Sequence, residues 1–365
     1  MSKMVLKTVD EIEELAKNFY RYLDFATAKL IEHILSYDYL PLKTEIAKDL
    51  GIPSYTLSRK LNYLKRLGVA FGVNIDFSSI GLRKLVIIVK DYIERDIVER
   101  DNKFGKFLNF YAPILLPFQG TLLVYYIPAS IDTHEIISKL TSIVRDIKDI
   151  SNYNVIIKSI YSRAKFTYHF DFIRKEFKVN WDRLYRLSSE STSVVKDVDV
   201  NELRTEDYRY SKFDLLDLLI IDQLEVDPFK HIASISKELD ISYAKVLKHF
   251  KQHVSRVVKG FRLRLIPLPI GSSLYVCIRV EGSYNLLYKL ANILSELVFI
   301  AGIHLSPQNV MYVLAVITPD VLSSLTRFLS EFGVYYDVYL LDRTRRVAYT
   351  LPYTGYSKFL RGWTV

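Results

Sequence analysis

Cysteine is almost absent from this chain of 365 residues, which contains a single one, Cys277. One thiol excludes an internal disulfide and any zinc site built from several cysteines, and it is typical of proteins from a reducing compartment. Because Cys277 stands in the apolar run LYVCIRV, we expect it to be a small buried core residue.

Long apolar runs are also missing. No uninterrupted stretch approaches the about 18 residues that a membrane-spanning helix needs, and the first residues lack the continuous apolar core of a signal peptide. The sequence therefore predicts a cytoplasmic protein with no membrane partner.

The signatures of common nucleotide-binding enzymes and zinc proteases are absent as well. The chain contains no GxGxxG, no GxxxxGK followed by serine or threonine, and no HExxH. His249 and His253 stand four apart in HFKQH and could share a metal on one helix face, but no cysteine or carboxylate lies nearby in the sequence to complete a site. We therefore expect no metal, no cofactor and no enzymatic activity.

Positive charge is in excess. Lysine and arginine outnumber aspartate and glutamate by 50 to 41, which gives a net charge of +9 and an isoelectric point near 9.2. Such a balance favours an anionic partner, either a nucleic acid or an acidic membrane surface, although surplus lysine also serves solubility alone.

One structural plan occurs twice in the chain. LDFATAKLIEHIL, from Leu23, matches FDLLDLLIIDQL, from Phe213, and each is an apolar-periodic helix opened by an aspartate N-cap, Asp24 or Asp214. TEIAKDLGI then matches ASISKELDI, and the correspondence continues at offsets of about 180 to 190 residues, which indicates a duplicated unit.

Within each unit the periodicity changes from helical to alternating. In the second unit three short helices precede strand LYVCIRVE, helix YNLLYKLANILSEL, strands VFIAGIHLS and VMYVLAVITP, helix DVLSSLTRFLSEFG and strand YYDVYLLDR. This is the ferredoxin-like βαββαβ order, in which two helices cover one face of an antiparallel sheet. We therefore predict an α+β fold of two tandem units, each a winged helix-turn-helix followed by a ferredoxin-like domain.

The predicted boundaries divide the chain into six segments. They are an N-terminal helical extension (1–22), helix-turn-helix domain 1 (23–77), ferredoxin-like domain 1 (78–187), a polar linker (188–211), helix-turn-helix domain 2 (212–266) and ferredoxin-like domain 2 with its C-terminal tail (267–365). The extension has Val9, Ile12, Leu15 and Phe19 at helical spacing, which suits packing or dimerisation.

The third helix of each unit has a polar face of one charge sign. In IPSYTLSRKLNYLKRLG, Leu57, Leu61 and Leu64 face the core, and from Tyr243 to Arg264 the second copy has seven lysines and arginines and no acid. A merely solvated helix face usually mixes both signs, so we predict contact with double-stranded DNA instead. The predicted DNA-binding residues are Tyr55, Thr56, Ser58, Arg59, Lys60, Asn62, Tyr63, Lys65, Arg66, Tyr243, Lys245, Lys248, His249, Gln252 and Arg256.

Two kinds of side chain in this set suit different contacts. Basic side chains suit phosphate or guanine, and we single out Arg59, Lys60, Lys245 and Lys248. The amides of Asn62 and Gln252 suit adenine, because they can bond its N6 and N7 together.

A helix-turn-helix, a short extended connector, LGVAFGVNIDFSSIGL, and a split βαβ domain together resemble the leucine-responsive regulator family, Lrp/AsnC. The resemblance implies a nucleoid-associated transcription regulator whose ferredoxin-like domains dimerise and bind a small-molecule effector. Family members usually carry one unit per chain, so the two halves are expected to pair as an intramolecular pseudo-dimer, and pairing of whole chains stays open. Its recognition helices would read half-sites about 34 Å apart.

The effector is not identified by the sequence. Members that bind amino acids tend to have a Gly-Asp or Gly-x-Tyr-Asp turn between the second and third strands, whereas this chain has FQGTLL and LSPQNVMY. Gly120 and Asn309 there suit tight turns.

Other functions stay open beside the regulator. Siroheme decarboxylases share the helix-turn-helix and split βαβ plan, and paired histidines and arginines that hold the tetrapyrrole carboxylates would distinguish them; the sequence identifies no such set. A chromatin or assembly protein would bind DNA with little sequence preference. The aromatic tails of both units could line a pocket for an aromatic or anionic ligand, or pack across a sheet; they contain Arg163, His169, Arg343 and Arg346.

Overall fold

The computed structural model describes residues 9–101, 103–142, 150–190, 213–265, 272–359 and 362–364. Over these ranges the chain combines α-helices with a mostly antiparallel sheet, which confirms the predicted α+β class. Among the described helices, none is both long enough and apolar enough to cross a membrane.

The first unit begins with a helical bundle. Its helices are α1 (Val9–Tyr22), α2 (Phe25–Leu35), α3 (Lys43–Asp49) and α4 (Ser54–Arg66). Asp24 is the N-cap of α2, and its carboxylate accepts the backbone N–H of Thr27 at 2.6 Å. Ile31, Ile46 and Leu57 are completely buried, so the apolar spacing of these helices supplies the core of a helix-turn-helix.

Helix α1 packs against the tail of its own unit. The ring of Phe19 is completely buried, and its centroid lies 6.1 Å from that of Phe166 and 6.3 Å from that of Phe177. The N-terminal extension thus packs within the chain. The side chains of Val9 and Ile12 lie outside the described residues.

An extended connector leads from α4 into the first sheet. The elements are β1 (Ala70–Ile75), β2 (Leu82–Val89), α5 (Arg95–Glu99), β3 (Leu108–Leu116), β4 (Gly120–Pro128), α6 (Thr133–Thr141) and β5 (Ile150–Ile156). The strand order is β5-β2-β4-β3, and each neighbouring pair is antiparallel, as in a ferredoxin-like sheet. Helices α5 and α6 cover one face of this sheet through a core that includes Leu85, Val98 and Ile136.

The tail of the first unit packs on the second unit. It contains β6 (Lys158–Ile160), α7 (Phe166–His169), β7 (Phe170–Asp171), β8 (Glu176–Phe177) and α8 (Trp181–Glu190). The rings of Trp181 and Tyr185 lie 5.9 Å and 5.1 Å from the ring of Phe328. The predicted linker, 188–211, begins inside α8 and is outside the described residues from position 191 onward.

The second unit repeats the helical bundle with one local difference. Its helices are α9 (Leu215–Val226), α10 (Ile232–Leu239) and α11 (Tyr243–His249), and α11 continues through a π-helical turn (Phe250–Val254) into α12 (Ser255–Val257). From the N-cap residue to the equivalent phenylalanine, the second copy is one residue longer, since Ser242 and Phe261 replace Pro53 and Phe71. A single inserted residue is what a π-helical turn accommodates.

The second sheet has the same topology as the first. Strand β9 (Val258–Leu265) precedes this sheet and belongs to a separate two-stranded sheet with β1. The elements of the second sheet are β10 (Leu274–Glu281), α13 (Tyr284–Leu294), β11 (Ile300–Ser306), β12 (Val310–Ile317), α14 (Pro319–Glu331) and β13 (Tyr335–Leu341). The short strands β14 (Val347–Ala348), β15 (Tyr356–Ser357) and β16 (Gly362–Trp363) follow it. The order β13-β10-β12-β11 is again antiparallel throughout.

Strand pairing joins the two units into one body. Strand β1 pairs with β9, β3 with β13, and β6 with β11. Strands β5 and β6 are separated only by Ile157, whose N–H donates to the carbonyl of Leu305 at 3.0 Å, so this bent strand brings the two ends of the ten-stranded sheet together. The inner faces share a core that contains Val86, Tyr275 and the expected buried thiol of Cys277.

Candidate functional site

Helix α4 presents the polar face predicted for DNA contact to solvent. Lys65 also lies 3.4 Å from a carboxylate oxygen of Asp227 in the second unit. The predicted surface is therefore present in the first unit, and its contact with DNA stays a prediction. The exposed residues are Tyr55, Arg59, Lys60, Asn62, Lys65 and Arg66, and the half-buried ones are Thr56, Ser58 and Tyr63.

Helix α11 and its continuation expose most of the corresponding set in the second unit, and His249 is the exception. The ring of His249 turns toward α9, its Nδ1 lies 2.9 Å from a carboxylate oxygen of Asp217, and 14% of its side chain is exposed. The expectation that His249 lies on the outer face is therefore corrected. The exposed residues are Tyr243, Lys245, Lys248, Gln252 and Arg256.

His253 contacts the same carboxylate as His249. Its Nδ1 lies 3.0 Å from Oδ2 and 3.1 Å from Oδ1 of Asp217, a residue with no exposed surface. Burial raises the pKa of Asp217, because a desolvated carboxylate resists ionisation. The sequence offered no third ligand for the histidine pair because Asp217 is 32 residues before one histidine and 36 before the other.

A large cleft lies where the two units meet. Its volume is about 1240 Å³, and its walls come from α2, the end of β1, β2, the bent strand β5–β6, β9 and α13. Both units therefore contribute to this cleft. Its volume exceeds the range of about 300–1,000 Å³ that is usual for drug-sized ligands.

Lys84 lies at the wall of this cleft and is 6% exposed. It belongs to β2, a strand that is apolar apart from Arg83 and Lys84, and the side chain of Lys84 is buried. That group lies 3.3 Å from the Ser159 hydroxyl, 3.5 Å from the Tyr161 hydroxyl and 3.4 Å from Nδ1 of His304. A buried lysine whose close contacts are all neutral groups is costly unless another charge compensates it.

Arg262 adds a second, half-buried cation beside the same tyrosine. Its guanidinium carbon lies 5.0 Å from the centre of the Tyr161 ring, and a guanidinium nitrogen lies 3.7 Å from a carboxylate oxygen of Glu225. That carboxylate also accepts the backbone N–H of Leu351 at 2.6 Å. We refer to five residues as the cationic cluster: Lys84, Tyr161, Arg262, His304 and Glu225. The cluster combines one ammonium group and one guanidinium group with one carboxylate.

The protonation of the cationic cluster reflects its excess of positive charge. Burial lowers the pKa of Lys84, and burial together with the positive charge of Lys84 and Arg262 holds the pKa of His304 well below its ordinary value. Burial opposes ionisation of Tyr161, but Lys84 and Arg262 outweigh it and lower the pKa of that hydroxyl. His304 is therefore neutral near neutral pH, and Tyr161 is a stronger acid than an ordinary tyrosine.

Two of the acidic residues that line the cleft accept hydrogen bonds from neighbouring protein groups. Glu32 accepts the backbone N–H and the hydroxyl of Thr167 at 2.7 Å and 3.2 Å, and Glu296 accepts two bonds from Arg183 at 2.8 Å and 3.0 Å. Asp38 and Asp76 also line the cleft, so its six basic side chains exceed its four acidic ones by two, and this small positive excess favours an anion. Basic residues that also line it are Arg83, Lys158, Arg163, Lys165 and Lys259.

The tail residues considered as pocket candidates are dispersed. Arg163 lines the cleft. His169 is buried beneath α8, where Nδ1 accepts the backbone N–H of Asn180 at 3.2 Å. Arg343 donates to the Ser273 hydroxyl at 2.7 Å, and Arg346 lies 4.6 Å from the ring centre of Tyr275. The structure therefore does not bring these four together.

Sequence reasoning missed the cationic cluster, although one signal was available. Arg83 and Lys84 interrupt the apolar strand LRKLVIIV, and His304 interrupts IAGIHLS. Polar residues in buried strands require partners. The partners could not be assigned, because Lys84 meets His304 only through the pairing of β6 with β11 across the two units.

Comparisons with known proteins gave structural neighbours alone. No family model matches the chain, and none of the curated proteins matches it in sequence. The crystal structure of the siroheme decarboxylase NirDL is similar at 11% identity and a TM-score of 0.49, over 87% of this chain and 91% of that one. NirDL in complex with an iron-uroporphyrin III analogue gives 11% identity and a TM-score of 0.48, over 86% and 90%. PH0061 gives 17% identity and a TM-score of 0.22, over 42% of this chain and 91% of that one.

The succession of helix-turn-helix and ferredoxin-like domain, repeated once, confirms the predicted α+β architecture of two tandem units. The neighbours bear on the prediction about activity. The prediction that the chain is not an enzyme is contradicted, because the similar NirDL structures are those of a decarboxylase.

Proposed function

We propose that this chain is an enzyme that binds a large ligand with several carboxylates in the cleft and removes a carboxyl group from it, the reaction class of a siroheme decarboxylase. One observation carries the proposal: Lys84 and Tyr161 of the cationic cluster line a cleft of about 1240 Å³, and Arg262 lies beside Tyr161. Its volume suits a ligand as large as a tetrapyrrole, and its charge suits the carboxylates of such a ligand.

Ligand carboxylates would complete the charge balance of the cleft. Lys84 is buried and the side chain of Arg262 is 19% exposed, and both lie near the buried carboxylate of Glu225, so one further anion brings the local charge close to neutral. A carboxylate bound there is paired with cations while it loses water, and such charge-assisted contacts are strong. His304 contacts Lys84 and Arg262 contacts Tyr161, so a histidine and an arginine stand beside the two residues that line the cleft.

The chemistry would consist of one bond cleavage and one proton transfer. The bond between the carboxylate carbon and its neighbour breaks, CO2 leaves, and the electron pair stays on the neighbouring carbon, where the conjugated ring system of the ligand disperses it. Tyr161, whose pKa is lowered by Lys84 and Arg262 against the effect of burial, donates a proton to that carbon. The resulting tyrosinate is stabilised by the two cations and regains a proton from water in the cleft.

Binding and turnover of siroheme test this proposal directly. Siroheme is titrated into the full chain while its Soret absorbance is followed, and the product is examined by mass spectrometry for the loss of CO2. We expect saturable binding and a product that has lost at least one carboxyl group. Absence of both binding and mass loss would overturn the proposal.

Two variants separate binding from proton transfer. Tyr161→Phe removes the proton donor and keeps the ring, so siroheme should still bind while turnover falls by on the order of 10² or more. Lys84→Met removes one cation, so binding should weaken. The matched controls are Tyr153→Phe on β5 and Lys90→Met just after β2, both exposed residues whose replacement should leave binding and turnover unchanged.

DNA binding is a second candidate function, because both units expose basic side chains on the helix that a helix-turn-helix places in the major groove. Arg59 and Lys60 of α4, and Lys245 and Lys248 of α11, are exposed. Binding to a fragment of the chain's own promoter is compared with binding to random DNA of equal length at two salt concentrations. A promoter preference that survives the higher salt supports a regulator, whereas equal and salt-labile binding leaves nonspecific affinity alone.

A further inference from the structure

A histidine pair and a buried carboxylate converge inside the second helix-turn-helix. One oxygen of Asp217 lies 2.9 Å from Nδ1 of His249 and 3.1 Å from Nδ1 of His253. Within the described part of the chain, this is a group of metal-ligating side chains whose ligand atoms all lie within 4.8 Å of one another. Asp217 comes from α9, His249 ends α11 and His253 lies in the π-helical turn, so two elements contribute to the group.

The geometry is close to that of a metal coordination shell. Two imidazole nitrogens and one carboxylate oxygen are a donor set of open zinc sites, where ligand bonds of about 2.0 Å place the donor atoms about 3.3 Å apart. The nitrogen-to-oxygen distances here are 2.9 Å and 3.1 Å, so small rotations of the side chains admit an ion. The two imidazole planes are 86° apart, which keeps the rings from stacking and lets both nitrogens aim at one point.

The group also has access to solvent and room for a further ligand. The side chains of His249 and His253 are 14% and 27% exposed, whereas the side chain of Asp217 has no exposed surface. A carboxylate oxygen of Asp214 lies 3.6 Å from Nδ1 of His249, and that side chain is 53% exposed. A fourth position can therefore be filled by water or by Asp214, and an ion can enter from this side.

The first unit provides an internal comparison, because the same backbone positions there hold other residues. Asp217 is three residues after the N-cap of α9, and the residue three after the N-cap of α2 is Thr27. His249 is seven residues after the N-cap of α11, and the residue seven after the N-cap of α4 is Lys60. A threonine and a lysine at these places are poor ligands for a divalent cation, so the group belongs to the second unit.

We propose that Asp217, His249 and His253 form a binding site for a divalent transition-metal cation, Zn²⁺ by preference, which fastens α9 to the recognition helix of the second unit. Imidazole and carboxylate donors select borderline metals such as Zn²⁺ and Co²⁺ over Mg²⁺ or Ca²⁺. Without an ion, a histidine that carries its proton on Nδ1 can donate to Asp217, whereas coordination through Nδ1 requires the neutral ring to carry that proton on Nε2. Binding therefore ties together the two helices that set the orientation of Lys245 and Lys248.

Titration with Co²⁺, as a coloured stand-in for Zn²⁺, tests the site. The full chain, prepared without a polyhistidine tag, should take up one ion and develop the intense visible bands of a four-coordinate complex, which Zn²⁺ should then abolish. Zn²⁺ should also raise the midpoint of thermal unfolding. Weak bands typical of six-coordinate cobalt, or more than one equivalent ion per chain, would indicate adventitious surface binding and overturn the proposal.

Asparagine substitutions separate metal binding from the existing hydrogen bonds. The amide nitrogen of asparagine occupies nearly the position of Nδ1, so His253→Asn and His249→Asn keep a donor for Asp217 while they remove a metal ligand. We expect each to weaken Co²⁺ binding by at least about 10- to 100-fold, the loss seen even for outer-shell partners. The matched control is His134→Asn, at an exposed position of α6, which should bind as the unmodified chain does. Equal affinity in all four proteins contradicts the site.

Discussion

The ammonium group of Lys84 lies 3.4 Å from Nδ1 of His304, although the two residues are 220 positions apart and belong to different units. Lys84 comes from the first sheet and His304 from the second, and the strand that separates them, β6, pairs with β11 so that Ser159 stands opposite His304. Neither half of the chain could build the cationic cluster alone. The pairing of β6 with β11 therefore assembles the cationic cluster on which the proposed chemistry depends.

The replacement Lys84→Met should stabilise the fold while it weakens ligand binding. Lys84 is buried, its three close polar contacts are neutral groups, and burial lowers its pKa. Exchanging such a cation for an apolar side chain of similar length is expected to raise the free energy of unfolding by about 1–3 kcal/mol. Urea unfolding at neutral pH measures the change, with Lys90→Met as the control at an exposed position close by. A marked loss of stability would show that the ammonium group is well compensated.

Acid should destabilise the chain partly through His169. Burial lowers the pKa of His169 to about 4, so the unfolded chain binds a proton that the folded chain does not. Above the unfolded pKa of about 6.5, this histidine contributes about 3 kcal/mol to the free energy of unfolding. That contribution is lost as the pH falls through 4. Urea unfolding at about pH 7 and about pH 4 measures the loss.

The variant His169→Asn isolates this effect. Its side-chain oxygen can still accept the backbone N–H of Asn180, which Nδ1 accepts at 3.2 Å, but it has no proton to gain in this range. The stability of the variant should therefore fall less between the two pH values than that of the unmodified chain. His134→Asn, at an exposed position, should not flatten the pH dependence. If the free energy of unfolding falls equally with pH in all three proteins, groups other than His169 cause the loss of stability in acid.

Local patterns allowed the fold to be predicted, because each element depends on residues near it in sequence. Leu57 and Leu64 identified the buried face of a helix, and Asp24 and Asp214 identified two helix starts. The candidate sites depend on contacts between distant elements. Asp217 reaches His249 across a helix-turn-helix, and its second partner, His253, lies in the π-helical turn that accompanies a one-residue insertion. Contacts of this kind depend on tertiary packing, which the periodicity of the sequence does not predict.

Arg183 and Glu296 should contribute strongly to the contact between the tail of the first unit and the second unit. Two guanidinium nitrogens donate to the carboxylate at 2.8 Å and 3.0 Å, both side chains are mostly buried, and the guanidinium lies 3.9 Å from the ring centre of Tyr168. Removing one partner leaves a mostly buried charge, so Arg183→Ala should lower the free energy of unfolding by about 2–4 kcal/mol. Arg183→Lys keeps the charge but loses the bidentate geometry, and it should give a smaller loss.

An exposed ion pair serves as the control for this comparison. Arg345 pairs with Asp342 at 2.6 Å, but 56% of its side chain is exposed, so Arg345→Ala should change stability by less than about 1 kcal/mol. All three variants are compared by urea unfolding at one salt concentration. Equal small effects of Arg183→Ala and Arg345→Ala would mean that the tail contact rests on the aromatic packing around Phe328 rather than on the ion pair.

If the chain binds DNA, the two basic helix faces should contribute separately to affinity. Arg59 and Lys248 are exposed on equivalent recognition helices, so Arg59→Ala and Lys248→Ala should each weaken binding by about 1–3 kcal/mol and reduce the salt dependence by about one contact. Arg327→Ala, at an exposed position on α14, removes the same kind of charge far from the recognition helices and should have little effect. If only one of the two variants binds DNA more weakly, one recognition helix reads DNA and the other serves as scaffold. Unchanged affinity in both variants would remove these helices from the DNA interface, and the cleft would then remain as the functional site of the chain.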